Sequence, residues 1–289
     1  MSICSPKRVK RLLIRKGPVE YSLNTYEGCE HSCPFCFSRR EDEKIFGKVN
    51  AHLILRNELK ASKRGFITLN TSSDPYQPCE EELKITRRVL EVMRDYRFSC
   101  HVMTKSDLVV RDLEVLREIS ERGSNCFVSF SLISLEDGLE GSSPSPKRRI
   151  RALEKVSSHG IKTGVLLMPI LPSITDDPEE IEELLHLVKE KGGSYAIPGI
   201  LILREPEKRR FFYFLSEEYP ELVGIYSEMY RGSSPSRRYL SELEERLRET
   251  FNRVGISDRL PLGVPVGGSA STSQEEGRRI QERKGFQPI

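Results

Sequence analysis

The sequence predicts an α/β protein of six consecutive βα units, and three observations support this. Runs rich in β-branched and aromatic residues at 21–25, 66–70, 98–104, 126–132, 161–169 and 195–203 read as strands. Between them lie amphipathic stretches such as Ile85, Val89, Val92 and Tyr96, whose spacing puts them on one helical face. Helix starts and stops fall where this alternation needs them. Ser145-Pro146, Asp177-Pro178 and Ser234-Pro235 each set a capping oxygen before a proline whose missing N–H costs nothing in a first helical turn. Gly123, Gly160, Gly192 and Gly255 stand where helices should end. Strands separated by helices imply a parallel sheet with right-handed crossovers. Six units suit a partly open βα barrel or a doubly wound sheet, and in either the functional groups gather at the C-terminal ends of the strands.

After the sixth unit, Leu240, Leu243, Leu247 and Phe251 form one face of a further helix, expected to pack on the barrel. The division read from these elements is a basic lead-in at 1–19, a core at 20–220, a C-terminal helical extension at 221–266 and a polar tail at 267–289. No internal repeat and no second hydrophobic core is read. The 289 residues carry 46 Lys and Arg against 43 Asp and Glu, so the net charge of +3 excludes the overwhelming basic field of a nucleic-acid coat protein. No apolar run approaches a membrane span, and the first residues lack the apolar stretch of a secretory signal. A cytoplasmic protein with no membrane partner is therefore expected. In that reducing setting, a crowd of cysteines points to metal binding or chemistry before disulfides.

That crowd is Cys29-Glu-His-Ser-Cys33-Pro-Phe-Cys36, a C-x-x-x-C-x-x-C loop directly after the first strand. Thiolates at this spacing can converge on a soft metal centre, and they are the ligands of iron–sulfur clusters. Zinc is the competitor. A closed zinc site needs four ligands, usually as two separated pairs, and here there is a lone triplet with His31 as a conceivable fourth. A cubic cluster held by three cysteines instead leaves one iron open to a small molecule.

The spacing, the aromatic Phe35 before the third cysteine and the position after the first strand resemble the radical S-adenosylmethionine (SAM) superfamily. Downstream, Thr71-Ser72-Ser73-Asp74-Pro75-Tyr76-Gln77-Pro78, Met103-Thr104-Lys105-Ser106-Asp107, Arg111-Asp112, Val128-Ser129-Phe130-Ser131-Leu132 and Gly164-Val165-Leu166-Leu167-Met168-Pro169 resemble the subgroup that contains spore photoproduct lyase. The resemblance covers roughly 21–176 and implies a partial (βα)6 barrel. It also implies that Cys29, Cys33 and Cys36 hold a [4Fe–4S] cluster whose open iron chelates SAM. Reduction then cleaves the sulfonium to a 5′-deoxyadenosyl radical that abstracts hydrogen from substrate. A reductant such as ferredoxin or flavodoxin is implied as partner, and nucleic acid enters as a substrate candidate.

The same resemblance suggests a role for each group around SAM. Ser73 or Asp74, at the end of the second strand, would accept from the amino group, where the plain alternative is a turn or cap. Lys105 would pair with the carboxylate, and Ser131, inward on the fourth strand with Ser129, would meet the ribose. Met168 and Pro169 would offer adenine an apolar rest, and Phe35 would shield the site from water. No catalytic residue is assigned beyond Cys79, a weak candidate at a helix N-terminus that could lower its pKa. Cys100 and Cys126 read as buried small hydrophobes. The basic groups at 7–11, 147–151 and 208–210 and the tyrosines 213, 219, 226 and 230 are candidate phosphate and base contacts, though such runs are usually solvated faces or packing. The competing classes are a zinc-stabilised nucleic-acid-binding protein without catalysis and a cluster-only electron-transfer protein.

Overall fold

The computed structural model describes residues 4–38 and 44–261. The polar tail at 267–289 and the acidic run at 41–43 lie outside the described residues. Six parallel strands follow one another in the main sheet: β3 (Glu20–Leu23), β6 (Phe66–Leu69), β7 (Ser99–Thr104), β8 (Cys126–Ser131), β9 (Lys162–Ile170) and β10 (Ala196–Ile200). These are the six strands expected. A short β2 (Ile14–Arg15) adds antiparallel to β3 at one edge. β10 forms the other edge, where the chain after the last helix contributes only the Tyr195↔Ser257 bridge.

The sheet is curled. In a flat sheet, residues two strands apart stand about 10 Å from one another, yet the Phe127 ring on β8 lies 6.1 Å from Phe66 on β6 and 6.3 Å from Tyr195 beside β10. Alternation then sorts β8 into two faces. Cys126, Val128 and Phe130 join the main hydrophobic core, while Phe127, Ser129 and Ser131 face the inside of the curl. Helices cover the outer face: α1 (Ala51–Lys60), α2 (Glu80–Leu83), α3 (Ile85–Asp95), α4 (Leu113–Glu121), α5 (Pro146–Ser158) and α6 (Pro178–Glu190). Ser145 and Asp177 cap α5 and α6 as expected. At the last long helix, α9 (Arg237–Val254), the cap is Ser236 and not Ser234, since the helix starts two residues later than the proline suggests. Its buried face of Leu243, Leu247 and Phe251 packs on α6.

Three features depart from the sequence reading. The basic lead-in is part of the fold: β1 (Cys4–Lys7) pairs with β5 (Ile45–Lys48), which also pairs with β4 (Tyr26–Glu27), making a second, three-stranded sheet. Glu58 on α1 accepts from the backbone N–H groups of Leu12 and Leu13, tying the lead-in down.

A second hydrophobic core also exists. It joins Phe211 and Leu215 of α7 (Glu207–Glu218) and Tyr226 of α8 (Val223–Met229) to Cys33, Phe35 and Ile133 at the strand ends. These helices roof the C-terminal mouth, and the expected boundary at 220 cuts through the roof. Tyr226 and Tyr230 are buried, stacked at 5.5 Å, with their hydroxyls on the carbonyls of Pro172 and Leu201, so they are packing and not free base-stacking rings. Only Tyr213 of the four stands well exposed.

The third departure concerns the basic runs. Arg149 is buried against Glu140, Arg148 pairs with Asp107, and Lys208 donates to the Tyr230 carbonyl. Arg149 and Lys208 are thus spent on protein acceptors, while Arg148 is 59% exposed in a surface pair. Among the described residues no helix is long and apolar enough to cross a membrane.

Candidate active site

The cysteine loop leaves β4 and folds over the mouth of the curl. Its shape is set by groups from distant strands. Gln77, after β6, accepts from Glu30 N–H and donates to the Gly28 carbonyl. Ser142 N–H donates to the His31 carbonyl. The loop that carries Glu140 presses so close that a Cβ on Gly141, whose φ is +62°, would stand 2.2 Å from that carbonyl oxygen. Only glycine fits there without moving backbone. The Cys33 thiol donates to the Glu140 carbonyl, and Arg210 of α7 donates to the Cys36 carbonyl.

Burial is the main influence on two of the three thiols. It pushes Cys33 up to about 11, against the pull of the Lys105 ammonium. It also raises Cys29, whose sulfur faces the backbone N–H groups of His31 and Asp74. A metal would displace those protons. Among the described residues no three Cys, His, Asp or Glu side chains close on one point as a single ion requires. Three free thiols on one short loop are the donor set a cubane takes, each thiolate on a different iron.

Beside the loop, Lys105 ends β7 with its Nζ 2.8 Å from Ser131 Oγ, 3.4 Å from Glu140 Oε1 and 6.0 Å from the centre of the Phe35 ring. Phe35 is buried, and Phe37, which follows the third cysteine, is exposed. Four residues expected at the site, Cys33, Phe35, Lys105 and Ser131, thus meet. Ser129, one pleat deeper, is occupied: it bridges His101 Nε2 at 2.7 Å and the Tyr195 hydroxyl at 2.8 Å.

Asp74 sits differently from the expectation. Its Oδ1 accepts from Tyr76 N–H and the Thr104 hydroxyl, and its Oδ2 from Lys105 N–H, with His31 Nε2 3.3 Å away. Burial alone would raise its pKa, but His31, the Lys105 N–H and the Thr104 hydroxyl outweigh it and hold Asp74 below the ordinary carboxylate range. The carboxylate is thus spent largely on protein donors. Ser73 is half-buried, accepting from Asn70 Nδ2 and donating to the Tyr26 carbonyl.

Two site residues were not read from the sequence. Glu140 and Arg149 form a buried pair at the mouth. Arg149 also donates to the Ser131 and Pro144 carbonyls, while Glu140 Oε1 has no hydrogen-bond partner among the described residues. Lys105 and Arg149 face the two carboxylates of Glu140 and Asp74, with Lys105 between them. Nothing local marks these residues in the sequence, because Arg149 lies in what reads as a surface charge run.

Cys79 is buried in the main core with Cys4, and its backbone N–H donates to Glu30 of the cysteine loop. The Cys4 contact, then burial, raise its pKa, so the expected lowering at a helix N-terminus does not occur. Tyr76 and Arg111, which contribute to the family likeness, both donate to Asp112, which also holds Arg87 of α3.

Against known proteins, the pattern describing the Radical SAM superfamily matches residues 23–188. An uncharacterized protein of Mycobacterium tuberculosis is 28% identical over 249 residues, spanning 80% of this chain and 73% of that protein. One of Methanocaldococcus jannaschii is 27% identical over 236 residues, spanning 80% of this chain and 86% of that protein. Among solved structures, spore photoproduct lyase complexed with dinucleoside spore photoproduct superposes with a TM-score of 0.67 at 19% identity, covering 87% of this chain and 78% of that one. Streptococcus suis SuiB bound to S-adenosylmethionine gives 0.53 at 16% identity, covering 82% of this chain and 48% of that one. At these identities the likeness is one of fold, a partial barrel.

Proposed function

Because the chain belongs to the radical SAM superfamily, whose members work with a [4Fe–4S] cluster and SAM, we propose that Cys29, Cys33 and Cys36 hold the cluster and that SAM binds between the cysteine loop and the ends of β6, β7 and β8. The protein is a radical SAM enzyme, and the group it binds supplies a 5′-deoxyadenosyl radical by reductive opening of the sulfonium. The observation that carries the site assignment is the meeting of Lys105 with Ser131 and Phe35 beside Cys33.

Each residue then has a task. Lys105 gives the SAM carboxylate a cation at the end of β7. Ser131, which Lys105 holds, turns its hydroxyl to the ribose, and Ser73 stands at the amino-group side. Phe35 keeps water from the reacting centre, which protects a radical from side reactions. The electron comes from a ferredoxin or flavodoxin.

The substrate we infer is not the thymine photoproduct, although nucleic acid stays among the candidates. The lyase of the resembling subgroup returns hydrogen from a cysteine near the end of the second strand. Here that stretch is Asn70-Thr71-Ser72-Ser73, and the O–H bonds it offers are too strong to quench a carbon radical quickly. Cys79 is buried with Cys4. An anaerobic assay on photoproduct-containing oligonucleotide tests this: little or no thymine should form, and efficient repair that is lost in Cys79→Ala would refute it. For the cluster, any one of Cys29→Ala, Cys33→Ala and Cys36→Ala should abolish reductive formation of 5′-deoxyadenosine. Full SAM cleavage in all three would remove the assignment.

A further inference from the structure

His31 stands between two of the three cluster cysteines, where a loop residue is expected to face water, yet it is 2% exposed. Neither ring nitrogen completes a hydrogen bond among the described residues, although Nε2 is within ion-pair range of Asp74. An unmatched buried nitrogen is costly, and such groups call for a specific explanation, a missing ligand among them. The residue is clamped as well: its carbonyl is held by Ser142 N–H and wedged against Gly141.

Asp74 is equally fixed, with Tyr76 N–H, Thr104 and Lys105 N–H on its two oxygens. A carboxylate so held can only accept. The imidazole nitrogen that faces it therefore carries the proton, and the opposite nitrogen, Nδ1, is left as a lone-pair acceptor. Cluster sulfides and thiolates are themselves acceptors and cannot pair with it. The partner has to be a donor.

We propose that His31 Nδ1 accepts a hydrogen bond from the amino group of SAM, with Asp74 as the positioning residue that fixes the tautomer through Nε2. The amino group, for which the sequence offered Ser73 or Asp74, then reaches the Asp74 carboxylate through the imidazole. Cys29 links the two residues to the cluster, since its sulfur faces the N–H groups of both. The inference rests on the reading that SAM binds at these strand ends.

The test is a titration on the anaerobically reconstituted full chain, reading the EPR spectrum of the reduced cluster as SAM is added. An analogue with hydrogen in place of the α-amino group is titrated in parallel. His31→Ala should weaken SAM about tenfold and leave the affinity for the analogue as in the wild type. His31→Asn, whose amide oxygen can stand near the Nδ1 position, should restore most of the loss, and His31→Gln should not. Iron and sulfide content, measured for each variant, separates a lost cluster from a lost contact. Should His31→Ala fail to load iron, the Asn and Gln variants decide.

Equal loss for SAM and analogue, no loss for SAM, or equal rescue by Asn and Gln would overturn the assignment. A wild-type spectrum that does not respond to SAM would instead refute the binding site itself, and this inference with it.

Discussion

Two buried ionic networks lie among the segments that follow β6, β7 and β8, and they differ in how completely their atoms are matched. In the first, Glu80 accepts from Ile85 and Thr86 N–H, Arg111 and the Tyr26 hydroxyl. Asp112 accepts from the Tyr76 hydroxyl, Arg87 and Arg111. At the mouth, Glu140 Oε1 and the His31 ring have no hydrogen-bond partner among the described residues. A network closed on itself holds structure, while one with unmatched buried groups is built around something else. By this criterion the Glu80–Asp112 brace is structural and the Lys105–Glu140–Arg149 group is the one we propose as the ligand site, although the sequence motif spans residues of both.

Breaking the closed network should have the largest effect on stability. Asp112→Ala leaves Arg87 and Arg111 facing a buried gap and should cost about 4 kcal/mol, read by urea denaturation. A loss under about 1 kcal/mol would mean the brace is not holding α3. The polar layer beneath the mouth gives the next effect. Burial lowers the pKa of His101 to about 4, so the folded state refuses a proton that the unfolded chain takes up from about pH 6.5 downward. Stability from this residue is full above pH 6.5 and falls as the pH drops to about 4, by roughly 3 kcal/mol. Unfolding curves at several pH values should show that slope in the wild type and a flatter one in His101→Gln. A smaller effect is expected at Gly141, where an Ala would cost about 2 kcal/mol from the left-handed backbone alone. It should also displace the cysteine loop, read as reduced iron incorporation. Normal loading would show that the contact with His31 yields easily.

What the sequence made legible follows from the range of the interactions involved. The six strands and the helix ends were readable because periodicity, prolines and glycines act within a few residues. The cysteine loop was readable because its spacing is itself the chemistry, and Lys105 and Ser131 because strand ends gather at one mouth. The roles of Glu140, Arg149 and His31 depend on contacts between loops far apart in the chain, and Arg149 looked like one member of a surface run. The roof of α7 and α8 went unread for a similar reason. Phe211, Leu215 and Tyr226 cover the cluster loop, but nothing in their spacing says what they cover. Asp74 was found by its motif, while its occupation by Tyr76, Thr104 and Lys105 was visible only once the strands were assembled.

Equilibrium binding of radiolabelled SAM to three cluster-loaded proteins, wild type, Lys105→Ala and Arg87→Ala, tests the contrast between the networks most directly. Charge-assisted contacts of about 1.5–3 kcal/mol correspond to roughly ten- to hundredfold in affinity. A loss of that size is expected in Lys105→Ala, with iron content intact, and wild-type affinity in Arg87→Ala. Unchanged affinity in Lys105→Ala, or an equal loss in both variants, would contradict the contrast.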